Sequence, residues 1–171
     1  MKPKRLEESF FYKDALELAP ALVGKLLVRK QEGQVRKLRI TETEAYRGEE
    51  DSACHARAGK TGRTAVMYGP GGRAYIYMIY GLHFLLNVVS GKEGEPQAVL
   101  IRCAQGHPGP ARLTKALEIG KELNGEELFK SNRLWLEDDG YIPRLKTAPR
   151  VGIDYAAEPF RSIPWRFIND L

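Results

Sequence analysis

The sequence predicts a mixed α/β domain of the α+β type, built from antiparallel hairpins with a few peripheral helices. Three observations point there. Two strand-like runs flank the turn Gln31-Glu32-Gly33-Gln34, and two more flank Tyr80-Gly81-Leu82-His83, the pattern of a β-hairpin. The helix-like stretches are short and lie outside these hairpins. A length of 171 residues suits one domain, residues 1–171, with a real core and little room for a second.

In chain order, Lys13 to Leu18 reads as a short helix that Pro20 ends or restarts. Leu22 to Arg29 is apolar and β-compatible. Val35 to Tyr46 alternates as a strand, which completes the first hairpin. Arg47 to Gly72 is rich in glycine and charge with little apolar periodicity, a long loop with room for a helical turn. Loops of that length inside a compact domain are usually functional or disordered. Ala74 to Ile79 and Phe84 to Val89 form the second hairpin, and Ala98 to Ala104 is a buried-type strand. Pro110 to Ile119 has the spacing of an amphipathic helix stopped by Gly120, and Gly125 to Lys130 of another short one. The tail carries Pro143, Pro149, Pro159 and Pro164 and is expected to be turns and short strands. No internal repeat is visible.

Composition bounds the function classes. Hydrophobic residues at 43% and charged residues at 29% describe an ordinary soluble globular protein. No apolar run approaches the roughly 20 residues that span a bilayer, so no membrane partner is expected. Met1 to Phe11 mixes Lys2, Lys4, Arg5, Glu7 and Glu8 without an apolar core, so no secretion signal is read and a cytoplasmic location is expected. Lys and Arg outnumber Asp and Glu 27 to 22, a net charge of +5. The pI is about 9.2. That balance permits a polyanionic partner such as nucleic acid without demanding one. Cys54 and Cys103 lack metal-binding spacing and read most plainly as two reduced thiols.

The chemistry-bearing residues begin with Thr41-Glu42-Thr43-Glu44-Ala45-Tyr46. On a strand Glu42, Glu44 and Tyr46 share one face, and glutamates are depleted in strands. The segment is either a solvated edge strand or the wall of a wet site. His55 lies in the long loop between Asp51 and Arg57, either a surface residue or part of that site. Glu42, Glu44, Asp51 and His55 together would make a metal set, although no ligand motif matches their spacing, and the reading assigns no metal and no cofactor. Tyr75 and Tyr77 share a face. Tyr80 sits at a hairpin tip, where an aromatic suits a wedge into a base stack better than a core. Asn87 is polar inside an apolar run and needs a partner. A three-residue turn over Gly81 to His83 would pair Tyr77 with Asn87 on one face. Arg102, ending an apolar strand, is either an ion-pair partner for a glutamate or a phosphate ligand.

Taken together these segments resemble the alkyladenine (3-methyladenine) DNA glycosylases of the human and bacterial type. The likeness runs through Ile40 to Tyr46 (ITETEAY), Asp51 to Arg57 (DSACHAR), Met67 to Tyr80 (MYGPGGRAYIYMIY), Gly81 to Asn87, Leu100 to Arg102, Gly109 to Arg112 and Ala148 to Gly152 (APRVG). It covers most of the chain from about residue 20 onward. The combination of ETEAY, a histidine 11 residues beyond its second glutamate and a Tyr-x-x-Tyr-Gly hairpin is very specific. The resemblance implies a compact α/β domain with a curved antiparallel sheet and a monofunctional enzyme without metal or lysine Schiff base. Its partner would be double-stranded DNA carrying a damaged purine, nucleoid-associated in a bacterium, and a monomer is the default. Carried over position by position, it implies that Glu44 is the general base, with Arg102 supporting the water and phosphate side. It also implies that Tyr46, His55 and Tyr77 wall the pocket for the flipped base. Tyr80 would intercalate, and Asn87 would obstruct the amino group of normal guanine. Arg63-Thr64 departs from the Arg-Asn expected there, and His83 follows the hairpin tip at a variable position.

The implied chemistry is base flipping, which costs a few kcal/mol, about what stacking on aromatic side chains returns. A water activated by one carboxylate then attacks an oxocarbenium-like sugar. Cationic lesions such as 3-methyladenine and 7-methylguanine leave unaided. Neutral lesions such as ethenoadenine or hypoxanthine need a proton donor, for which no residue stands out. Rival readings are a non-catalytic DNA-binding module, a metal-dependent hydrolase using Glu42, Glu44, Asp51 and His55, and a bifunctional glycosylase using Lys60.

Overall fold

The computed structural model describes residues 1–170. Its strands are β1 (Lys4–Arg5), β2 (Leu26–Gln31), β3 (Gln34–Arg47), β4 (Ala74–Ile79), β5 (His83–Val89), β6 (Gln97–Ala104), β7 (His107–Pro108), β8 (Leu134–Asp138), β9 (Leu145–Ala148) and β10 (Arg166–Asn169). Two α-helices, α1 (Ala15–Leu22) and α2 (Pro110–Ala116), accompany them. The ten strands form one open sheet in the order β1-β8-β2-β3-β6-β5-β4, with β7 beside β6 and the β9–β10 ribbon joined to β3. The pairings are antiparallel, as the hairpin pattern predicts.

Strand β3 is the spine. Its first half pairs with β2 through a two-residue turn in which Glu32 (φ 49°) and Gly33 (φ 79°) adopt left-handed conformations. That turn matches the right-handed twist of the flanking strands. Its second half pairs with β6 on one edge and β10 on the other, with register shifts around Glu42. The two faces then separate by alternation. Thr43, Ala45, Ala74, Ile76, Leu86, Val88, Val99 and Ile101 are buried on the helix-covered side. There α1 contributes Ala15, Leu18, Ala19 and Leu22, and the Thr43 hydroxyl donates to Ala19 O at 2.7 Å. Glu42, Glu44 and Tyr46 face the other way, toward the loop between β3 and β4 and the tail after β9.

Several elements depart from the sequence expectation. Helix α1 starts at Ala15, after Asp14 accepts from the Leu16 amide, and it runs through Pro20 to Leu22. Proline there withdraws one backbone donor near the helix end, and burial of the flanking leucines holds the last turn. Strand β2 starts at Leu26 rather than Leu22. Helix α2 ends at Ala116 rather than Ile119, because Glu118 takes a left-handed conformation (φ 50°). Its last carbonyls are taken by arginines: Arg36 donates to Ala116 O, and the buried Arg29 donates to Leu117 O. Gly125 to Lys130 is not helical, because its backbone serves the edge of β4. Gly125 N donates to Ala74 O, Ala74 N to Glu126 O, and Leu128 N to Gly72 O. The β4–β5 hairpin turns at Tyr80-Gly81-Leu82, so Tyr75 pairs with Asn87 and Tyr77 with Leu85. The expected Tyr77–Asn87 pairing is wrong by one pair step, but the parity is the same, so all four residues share a face.

The long loop is far from a solvated excursion. It carries 3-10 turns at His55–Ala58 and Ala65–Tyr68, and it buries Asp51, Ala53, Cys54, Ala56, Thr64 and Met67. Its end approaches the N-terminal segment so closely at Gly71 that a Cβ there would collide with Phe11 O.

Candidate active site

The face opposite the helices carries a cavity of about 420 Å³. Alternate residues of four strands build it: Tyr46 from β3, Tyr75, Tyr77 and Ile79 from β4, Leu85 and Asn87 from β5, and Ala98, Leu100 and Arg102 from β6. The loop adds Ala53, His55, Arg63 and Met67, and the tail closes it with Val151 to Ile153 and Tyr155. The size lies within the range of about 300–1,000 Å³ common for small-molecule sites.

Glu44 sits behind the wall formed by Tyr46, Arg102 and Val151, and its side chain is 0% exposed. Oε1 accepts the Val151 amide proton at 2.9 Å and lies 3.4 Å from Arg102 Nε, and Oε2 accepts from the Tyr46 hydroxyl at 2.7 Å. Burial raises the Glu44 pKa above the usual carboxylate range, and the Val151 amide, Tyr46 and Arg102 oppose that rise without cancelling it. Arg102 Nε also lies 3.3 Å from Glu42 Oε1, so one guanidinium nitrogen stands between two carboxylates. Arg102 is thus an ion-pair partner of both glutamates, one of its two sequence readings.

The aromatic wall is ordered by His55 and Tyr75. His55 Nδ1 is 2.9 Å from the Tyr75 hydroxyl, and its ring stands edge-on to Tyr77 with centroids 4.5 Å apart. Arg63 lies over the Tyr77 ring at 5.2 Å. Burial first, and Arg63 second, lower the His55 pKa from 6.5 to about 4, so the imidazole is neutral at neutral pH. Asn87 is buried, and its amide donates to Tyr75 O across the hairpin at 3.2 Å. Tyr80 is 87% exposed at the hairpin tip, in a left-handed conformation (φ 51°), with Leu82 and Met78 exposed beside it.

Loop and tail are joined by a buried ion pair. Arg150 donates to both carboxylate oxygens of Asp51, at 2.6 and 2.9 Å, and also to Ala45 O and Phe160 O. Its guanidinium lies 4.8 Å from the Tyr46 ring centroid and 5.1 Å from that of Trp165. Asp51 in turn accepts the amides of Arg47 and Ala53. The pair fixes the residue immediately before Val151, whose amide reaches Glu44.

The structure thus gathers Tyr46, His55, Tyr77, Asn87, Tyr80 and Arg102 around one cavity, with Glu44 behind its wall. It does not assemble Glu42, Glu44, Asp51 and His55 as a metal set. Among the described residues no three His, Cys, Asp or Glu side chains converge. Asp51 is bound to Arg150 and His55 to Tyr75. Cys54 and Cys103 are free thiols. Sequence reasoning did not assign Tyr75, Arg63, Arg150, Val151 or Tyr155 to the site. For Arg150 and Val151 a signal existed in the APRVG segment, and for Tyr75 in its sharing a strand face with Tyr77. Among the described residues no helix is long and apolar enough to cross a membrane.

Comparison with known proteins places the chain in a family. A family model described as methylpurine-DNA glycosylase matches residues 9–170. The chain is 43% identical to a protein of Desulfitobacterium hafniense over 96% of this chain and 94% of that one. It is 46% identical to one of Anaeromyxobacter dehalogenans, over 95% and 82%, and 41% identical to one of Methanocella arvoryzae, over 96% and 92%. All three are provisionally named 3-methyladenine DNA glycosylase.

Proposed function

The chain belongs to the methylpurine-DNA glycosylase family, and we propose that it is a monofunctional base-excision-repair enzyme that removes alkylated purines from duplex DNA. The observation that carries the reading is the Glu44 carboxylate, held by the Val151 amide, Tyr46 and Arg102 directly behind an aromatic cavity whose neighbouring hairpin presents an exposed tyrosine.

A base inside a duplex is out of reach, so the damaged nucleotide is extruded into the cavity. Tyr46, His55 and Tyr77 offer stacking faces, worth about 1–3 kcal/mol per base contact. Tyr80 fills the gap in the stack, and Asn87, fixed by its bond to Tyr75 O, obstructs an exocyclic amino group. Glu44, once ionised, takes a proton from water as the N-glycosidic bond breaks, and its charge stabilises the sugar cation. Arg102 holds the carboxylate side of that water site. The Tyr46 hydroxyl and the Val151 amide aim the carboxylate, so the base is positioned before substrate arrives. Because Tyr46, Val151 and Arg102 cover Glu44, water reaches it by a shift of the Tyr46 or Val151 wall when the nucleotide enters. Cationic 3-methyladenine and 7-methylguanine leave without protonation, and they are the expected principal substrates. Neutral lesions such as hypoxanthine and ethenoadenine depend on a donor that the cavity does not supply from an acidic side chain.

The test is single-turnover excision, in EDTA, from alkylated DNA and from duplexes carrying one ethenoadenine or hypoxanthine, by wild type and Glu44→Gln. Free base from wild type alone supports the reading. Full activity of Glu44→Gln sinks the assignment of the base. Tight DNA binding without release from any substrate favours a non-catalytic binding module.

A further inference from the structure

Glu42 lies two residues before Glu44 on β3, and the excision mechanism above gives it no part. Its contacts are nonetheless dense. Oε1 accepts from Arg166 Nη1 at 3.0 Å and lies 3.3 Å from Arg102 Nε, and Oε2 accepts from Cys103 Sγ at 3.6 Å. Arg166 stands opposite Glu44 in the β3–β10 register, and its Nε donates to Pro149 O at 2.8 Å, two residues before Val151. A continuous chain of charge therefore runs Arg166–Glu42–Arg102–Glu44, partly or fully out of water throughout.

We propose that Glu42 is a positioning residue for the base: it holds Arg102 so that one guanidinium nitrogen is divided between two carboxylates, and so limits how much positive charge Glu44 receives. The inference rests on Glu44 being the general base, but the bridge is a property of the folded protein alone. Its physical basis is simple. A cation favours the ionised form of a neighbouring carboxyl and a second carboxylate disfavours it, most strongly where water is excluded. Arg102 lowers and Glu42 raises the affinity of Glu44 for its proton. The other groups facing Glu44 and Tyr46 are Arg150, Tyr155 and the Val151 amide from the tail, Tyr77 from β4 and Arg166 from β10. None of these stands between the two glutamates as Arg102 does. A carboxylate with a raised proton affinity is a stronger proton acceptor once ionised, which gives the arrangement a use.

The experiment is a carbon-detected NMR titration of the Glu44 carboxyl in the intact free protein, accompanied by the single-turnover pH profile. Glu42→Gln, nearly isosteric, removes the competing charge, and the Glu44 midpoint and the acidic limb of excision move to lower pH. Arg166→Gln leaves Glu42 free to draw on Arg102, and the midpoint moves to higher pH. In an Arg102→Gln background the effect of Glu42→Gln shrinks, because the shared cation is gone. An unmoved or rising midpoint in Glu42→Gln, or an equal shift with and without Arg102, overturns the proposal. If Glu42→Gln does not fold, Glu42→Ala is titrated in its place, with and without Arg102, and decides in the same way. An absence of excision by wild type overturns the functional reading and leaves the titration arm intact.

Discussion

At the residue scale the site depends on two groups whose protonation burial has displaced in opposite senses. Glu44 is pushed up, so it ionises only above the ordinary glutamate value of about 4.3. The expected outcome is a single-turnover rate that falls with decreasing pH through a limb lying above that value, and a limb at or below it would count against burial as the controlling effect. Glu44→Gln should keep DNA binding and lose about 10²–10⁴ in rate, the usual worth of a general base. His55 is pushed down to about 4 from 6.5. The unfolded chain therefore takes up a proton as pH falls through 6.5 while the folded protein does not. The contribution of His55 is thus fully favourable above about pH 6.5 and is lost progressively toward pH 4. Thermal melts over that window should show declining stability, and His55→Gln should flatten part of the decline. Tyr80, open to solvent at its tip, contributes little to the fold. Its replacement by alanine should weaken binding to lesion DNA more than to undamaged duplex, measured side by side by fluorescence anisotropy.

At the element scale the loop between β3 and β4 and the tail after β9 are the parts that turn a sheet face into a pocket. Their junction is the Asp51–Arg150 pair, fully buried on both sides. Removing one member leaves an uncompensated buried charge, which costs about 3–5 kcal/mol. Arg150→Met should therefore lower the unfolding free energy by that amount in denaturant melts, and it should also release the amide that holds Glu44 Oε1. Gly71→Ala forces a methyl against Phe11 O, and overpacking of this kind costs about 1–3 kcal/mol. A melting temperature unchanged by Gly71→Ala would contradict the close approach.

At the scale of the whole molecule, the net charge of +5 supplies a non-specific attraction to phosphate that is independent of the lesion. Affinity for undamaged duplex should fall linearly with the logarithm of salt concentration. Lesion discrimination, if it rests on stacking and on Asn87 as proposed, should depend on salt far less. The open sheet sorts these roles by face, with helices and core on one side and the cavity on the other, because side chains alternate along each of β3 to β6.

Much of this was legible in the sequence alone. Period-two alternation marks β3 and places Glu42, Glu44 and Tyr46 on one face, and apolar runs, two of them around a turn, mark β4 to β6. The Glu32-Gly33 turn sets the first hairpin, and the combined motifs identify the family. These are local properties, carried by spacing within single segments. Only the tertiary structure decided the rest. It ended α2 with arginines from β2 and β3, gave Gly125 to Lys130 to a sheet edge, and turned the second hairpin at Tyr80 rather than Gly81. It also divided Arg102 between two glutamates, neutralised His55 and brought Asp51 to Arg150. Each of these depends on groups far apart in the chain meeting where water is excluded, and such encounters have no period or spacing that a sequence can display.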